Sequence, residues 1–145
     1  MTLSEELIRN VVQKMLNESL EKPGAGFEKN VDPSGIIRIK TSTVKCEPFE
    51  QDGVKLKDIV TLKEAPRMGA GIMELDHTSF PWSLTYDEYD LVLEGTLEIE
   101  IDGRVVRGEQ GDIIYIPKGS SILFRTPNKA RYAYFVYPAN WQEQS

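Results

Sequence analysis

The chain has 145 residues, a net charge of -6 and a single cysteine. That length fits one domain with a core large enough to need no disulfide, and one cysteine excludes a disulfide framework and fits a reducing cytoplasm. The acidic balance disfavours nucleic acid, no apolar run is long enough to span a bilayer, and MTLSEELIRN lacks the pattern of a secretion signal.

The first segment predicts an amphipathic helix over residues 1–22. Leu3, Leu7, Ile8, Val11, Val12, Met15, Leu16 and Leu20 recur at helical spacing. Thr2 and Glu5 form a capping box, and Pro23 and Gly24 mark the end. Such a helix needs a partner: its own barrel, a second copy of the chain, or another protein. Residues 23–35, PGAGFEKNVDPSG, read as a turn-rich linker.

From Ile36 the pattern turns to strands. IIRIKTSTV, VKLKDIV, AGIMELD, DLVLEG, TLEIEIDG, RVVRGEQGDIIYIP, SILFRTPN and ARYAYFVYP are separated by Gly, Pro, Asn and Asp, with no helix between them. This predicts an antiparallel sandwich or barrel. Asp102-Gly103 is the turn of a hairpin within IEIDGRVV, and IIRIKTSTV is an edge or swapped strand. ELDHTSFP reads as a loop carrying His77, the only histidine. A lone loop histidine is more often exposed than chemical, and Cys46, with no base nearby in sequence, reads as a packed strand residue.

The run PWSLTYDEYDLVLEG followed by GDIIYIPKGSSI resembles the two motifs of the cupins, small jelly-roll barrels. Counting back from Gly95, the motif glutamate is Glu88, but its two histidine positions hold Pro81 and Ser83. In the second motif Gly111, Pro117 and Gly119 are in register, and the third histidine position is Ile122. The resemblance implies an all-β cupin barrel over residues 36–145. The missing imidazoles exclude the usual transition-metal site, since Pro and Ile offer no donor. MGAGIMELDHTSFPWSLTYDEYDLVLEG, GDIIYIPKGSSILF and the ending YPANWQEQS more closely resemble the EutQ-like ethanolamine-utilisation cupins. That resemblance implies a cytoplasmic protein of the bacterial microcompartment, with acetate kinase activity on ATP and Mg²⁺. The amphipathic helix then resembles an encapsulation segment that docks on a shell protein. The sequence contains no GxxxxGK[ST] phosphate loop, so any ATP site would be unconventional.

Strand alternation puts Glu88, Asp90 and Val92 inside the barrel and Asp87 and Tyr89 outside. Two inward carboxylates suit Mg²⁺ held jointly with a nucleotide; the plainer reading is an internal acid pair. Tyr86 and Trp82 flank the mouth, as catalytic hydroxyl and base-stacking ring or as ordinary core. Lys118 is the first phosphate candidate, with Ser120, Ser121 and Arg125 beside it, or else a solvated turn lysine. Two functions follow. One is an acetate kinase with Glu88, Asp90 and Tyr86 in the site. The other is a non-catalytic cupin scaffold or small-metabolite-binding module, its pocket plugged by Ile122 and Phe124. Cupins are often homodimers, so a homodimer is expected on either reading.

Overall fold

The computed structural model describes residues 26–140. The chain divides into two compact units, Met1–Lys45 and Cys46–Ser145. The helix expected over residues 1–22 lies outside the described residues. No helix among the described residues is long and apolar enough to cross a membrane.

In the first unit, β1 (Lys29–Val31) pairs antiparallel with β2 (Ile37–Ile39). The connection is closed by the Asp32 carboxylate, which accepts from the Ser34 amide at 2.9 Å, and by Gly35 at φ +98°. A strand thus lies where only linker was expected. IIRIKTSTV, in turn, is strand only to Ile39, and Thr41–Thr43 form a 3₁₀ turn, β2 being followed by this short element. Threonine chemistry explains the break. The Thr43 hydroxyl donates to the Lys40 carbonyl at 2.7 Å and accepts from the Glu28 amide at 2.8 Å, offering the backbone an alternative to the ladder.

The second unit is all-β: β3 (Glu47–Phe49), β4 (Gln51–Asp58), β5 (Gly69–Asp76), β6 (Ser79–Ser83), β7 (Asp87–Ile101), β8 (Arg104–Glu109), β9 (Ile113–Ile116), β10 (Ser121–Arg125) and β11 (Lys129–Tyr137). The strands form one antiparallel curled sheet in the order β3-β4-β5-β11-β7-β10-β6, with β8 and β9 also paired to β7. β6 begins inside the segment expected to be a loop, at Ser79, and runs two residues beyond it to Ser83. It carries Pro81, which an edge strand tolerates, and it ends the sheet on β10. The chain turns between β5 and β6 at His77, which adopts φ +45°.

β7 organises the unit. DLVLEG and TLEIEIDG, expected as two strands about a turn at Gly95, are one strand of 15 residues. Its first half pairs with β11 and β9 and its second with β8 and β10. Gly95 is a bend within it, at φ +75°, where a Cβ would overlap the Lys129 carbonyl. The Asp102-Gly103 hairpin is present, with both residues at positive φ as a type I′ turn requires.

Alternate residues of β5, β6, β7, β9, β10 and β11 meet in one apolar core. Phe80, Phe124 and Tyr132 stack through it, with centroids 5.3 and 6.1 Å apart. Truncating one of these rings to Ala costs about 3–5 kcal/mol in a typical core. This packing fixes which residues of β7 point inward, and so positions the site.

Candidate functional site

β7 carries the polar part of the core. Glu88 and Asp90 face inward with Val92, and Tyr89 faces out, 53 % exposed. Glu88 is 5 % exposed and Asp90 0 %. Each sits opposite an inward isoleucine of β9, Glu88 beside Ile116 and Asp90 beside Ile114, so apolar neighbours remove both carboxyls from water.

Neither Asp90 oxygen has a hydrogen-bond donor among the described residues, and its polar neighbour is Glu88, itself a carboxyl. A hydrogen bond between the two therefore exists only when one holds a proton. Burial raises both carboxyls above their ordinary range, and for Asp90 the Glu88 charge adds to the rise. The pair is an acid dyad in a dry site, bearing less than its two formal charges near neutral pH.

Glu88 lines a small cavity at the end of the core. Its walls are the apolar side chains of Phe49, Met73, Phe80, Trp82 and Phe124, together with the phenols of Tyr86 and Tyr134. The volume open to the centre of a water is about 10 Å³, room for about one water. The Trp82 indole N–H donates to the Tyr86 hydroxyl at 2.6 Å. Burial, and then the Glu88 charge, push the Tyr86 phenol up, so it stays protonated. Tyr134 donates to Asp58 at 2.6 Å.

The structure brings Glu88, Asp90, Tyr86 and Trp82 together. Trp82 packs against Phe49 and Phe80 at centroid distances of 6.2 and 6.3 Å. Lys118 and Ser120 lie in the turn after β9, which is tied to the Leu84 backbone between Trp82 and Tyr86. The Lys118 side chain is exposed, its amide donates to Asp87 at 2.9 Å, and the Ser120 hydroxyl donates to the Pro117 carbonyl at 2.8 Å. Arg125 is not brought to the cavity. It stands one residue beyond inward-facing Phe124 and so points the other way, donating to Glu98 at 2.8 Å and to Glu100 at 2.6 Å. Parity already held that signal, since Arg125 is three residues from Ile122. Phe80 and Tyr134 are wall residues beyond those the sequence points to, although alternation in SFPWS and ARYAYFVY places them on inward faces.

His77 lies in an exposed turn against Asp76, at 2.5 Å, and does not line the cavity. The Cys46 thiol donates to the Ile72 carbonyl at 3.4 Å, and burial pushes it up to about 12.

Mg²⁺ with a nucleotide can be tested against this geometry. Two carboxyls are a suitable hard donor set. The space beside Glu88 is nevertheless about one water, and among the described residues no Lys or Arg lines it and no group of three or more His, Cys, Asp or Glu could hold a metal. A hydrated Mg²⁺ carrying phosphates does not fit this cavity as it stands.

A family model described as ethanolamine utilisation protein EutQ matches residues 1–143. The chain is 43 % identical to a protein of Clostridioides difficile named acetate kinase EutQ, covering 99 % of this chain and 94 % of that one. It is 40 % identical to the acetate kinase EutQ of Salmonella typhimurium, of whose length it spans 64 %. The structure of the Clostridium difficile EutQ protein superposes with a TM-score of 0.80 at 47 % identity, over 83 % of this chain and 93 % of that one. A cupin domain of a transcriptional regulator from Enterobacter cloacae, 13 % identical, shares the fold alone, with a TM-score of 0.52.

Proposed function

Because the chain belongs to the EutQ family of ethanolamine utilisation proteins, we propose that it carries the acetate kinase activity for which its relatives are named. In that reaction an acetate oxygen bonds to the γ-phosphorus of ATP as the bond to ADP breaks. The observation that supports a site in the barrel is the convergence of Glu88 and Asp90 beneath Tyr86 and Trp82. On this reading Mg²⁺–ATP is the phosphoryl donor and binds at the outer side of the mouth, near the turn that carries Lys118 and Ser120. The protein then works in the cytoplasm at the bacterial microcompartment, with residues 1–22 as the segment that meets a shell protein.

The test is acetyl phosphate formation from acetate and Mg-ATP, trapped as the hydroxamate, in wild type, Glu88→Gln and Asp90→Asn. Activity that collapses in both folded variants is the expected result. Activity unchanged in both removes the reaction from the barrel, and none in folded wild type removes the kinase reading.

A second reading, a small-metabolite-binding cupin, is favoured by the same cavity. Its walls are mostly aromatic, Glu88 supplies the carboxyl, and no cation for phosphate lines it among the described residues. On either reading we propose a homodimer through the outer face of β9, β7 and β11. Ile113, Tyr115, Tyr89, Phe135 and Tyr137 form an exposed apolar strip there, with Tyr89 and Tyr115 in ring contact at 4.8 Å. Light scattering of Ile113→Lys beside wild type tests it: a shift to monomer supports this face, and an unchanged dimer assigns the contact elsewhere.

A further inference from the structure

We infer that Asp87 is a positioning residue for the phosphoryl donor: its carboxylate fixes the turn over residues 117–120 so that the Lys118 ammonium meets the phosphates of ATP. The inference rests on the kinase reading and names the residue that holds its cation in place.

Asp87 opens β7 and stands one residue before Glu88. Strand parity therefore turns it to the outer side, with Tyr89 and away from the buried acid pair. There one of its oxygens, Oδ1, accepts twice. The Lys118 amide donates to it at 2.9 Å and the Tyr115 hydroxyl at 3.1 Å. Tyr115 belongs to β9 and Lys118 to the turn that follows it, so a single carboxylate ties strand, turn and the start of β7 together. Bonds to an ionised acceptor are about twice as strong as neutral ones. The bond to Asp87 also raises the Tyr115 phenol, as donation to a carboxylate requires.

The connection between β6 and β7 clasps the same turn. The Gly119 amide donates to the Leu84 carbonyl at 2.7 Å, and the Leu84 amide donates to the Ser120 carbonyl at 2.9 Å. The Ser120 amide closes the turn on the Pro117 carbonyl at 3.3 Å. Gly119 makes the reversal at φ +94°, a region that glycine enters without strain. The N–H groups of residues 118, 119 and 120 are thus all committed within the protein, and the Ser120 hydroxyl is committed to Pro117. The turn cannot receive a phosphate as a nest of free amides does. What it offers outward is the exposed Lys118 ammonium. That group is a point charge on a flexible stem, so its backbone must be fixed if it is to meet a phosphate at one place. Leu84 holds residues 119 and 120, and Asp87 holds residue 118. Removing the Asp87 acceptor loosens the charged residue while the rest of the turn stays clasped. The loss should fall on ATP and spare acetate.

The experiment is steady-state acetyl phosphate formation by the full chain, with Mg-ATP and acetate varied in turn, beside calorimetric titration with Mg-ATP. Wild type is compared with Asp87→Ala, Asp87→Asn, Lys118→Ala and the double variant Asp87→Ala/Lys118→Ala, their folds checked by circular dichroism. We expect Asp87→Ala to raise the KM and Kd for Mg-ATP at least about fivefold, with kcat and the KM for acetate within about twofold of wild type. Asparagine keeps a carbonyl oxygen where Oδ1 stands, so Asp87→Asn should stay within about twofold of wild type throughout. The double variant should bind Mg-ATP no more weakly than Lys118→Ala alone, because Asp87 acts through that lysine. Mg-ATP affinity unchanged in Asp87→Ala overturns the inference. A loss shared equally by kcat and both KM values does so too, since it marks a merely structural residue, as does a full Asp87→Ala effect in the Lys118→Ala background. Wild type that binds Mg-ATP but forms no acetyl phosphate removes the kinase reading, and the affinities then decide the role of Asp87. Wild type that does neither overturns both. Should Asp87→Ala fail to fold, Asp87→Glu, which moves the acceptor by one methylene, carries the same expectation.

Discussion

Asp90→Asn is expected to stabilise the protein at pH 8. Asp90 is fully buried, and its polar neighbour is the Glu88 carboxyl. Both native carboxyls are raised, so the folded chain retains protons that the unfolded chain has released. The stability they contribute is therefore fully present below the unfolded carboxyl range, about pH 4, and is lost as pH rises through the raised native values. Asparagine removes one ionisation and presents an N–H₂ to the Glu88 carboxylate. A hydrogen bond to a charged group is worth about 1.5–3 kcal/mol. Since about 1 kcal/mol moves the melting temperature of a chain this size by roughly 2–4 °C, the variant should melt roughly 3–12 °C higher at pH 8. At pH 4, where the wild-type pair is protonated and bonded to itself, the gain should shrink towards zero. Urea unfolding and thermal melts followed by circular dichroism at both pH values measure the difference. A variant less stable than wild type at pH 8, or a gain that does not grow with pH, would refute the shared-proton account of the dyad.

Arg125→Ala should lower the melting temperature only slightly at neutral pH, because the guanidinium is 36 % exposed and solvent screens its ion pairs. Hydrogen bonds from Arg125, then from Arg107, hold the Glu98 carboxyl below its ordinary range, so the wild-type advantage should fade as pH drops below about 4; melts at pH 3 and pH 7 check this. Gly95→Ala places a Cβ against the Lys129 carbonyl in a backbone region that L-residues avoid, and should cost about 3 kcal/mol or more, read as a large loss in urea midpoint. The Cys46 thiol, pushed up to about 12, should react with a disulfide reagent at pH 8 at least about 100-fold more slowly in the folded chain than in urea; equal rates would show it to be freely ionised.

The period-2 rule made much of the site legible. Glu88, Asp90 and Val92 face inward as YDEYDLV requires, and Asp102-Gly103 forms its hairpin because both residues tolerate positive φ. The same rule, applied to ILFR, places Arg125 on the outer face, where it meets Glu98 and Glu100 rather than the cavity. The edge strand SFPWS was masked by its proline, which signals a break unless the strand's free edge is known. Gly95 signalled a turn, whereas the bend it makes is set by the approach of Lys129 from β11, a residue 34 positions away in sequence (129 less 95).

By itself the sequence determined the local features: inward and outward faces, turn residues, the lost metal-ligand positions and the likeness to the EutQ-like cupins. Each depends on residue type and near-neighbour spacing. Only the tertiary structure decided that Glu88 and Asp90 share a buried site with no cation beside them among the described residues, that five apolar side chains wall the cavity at Glu88, and that its volume is about one water. Those properties come from side chains on β3, β5, β6, β7, β10 and β11 meeting across the sheet. Burial, charge pairing and free volume are sums over such distant neighbours, and no spacing within one strand encodes them.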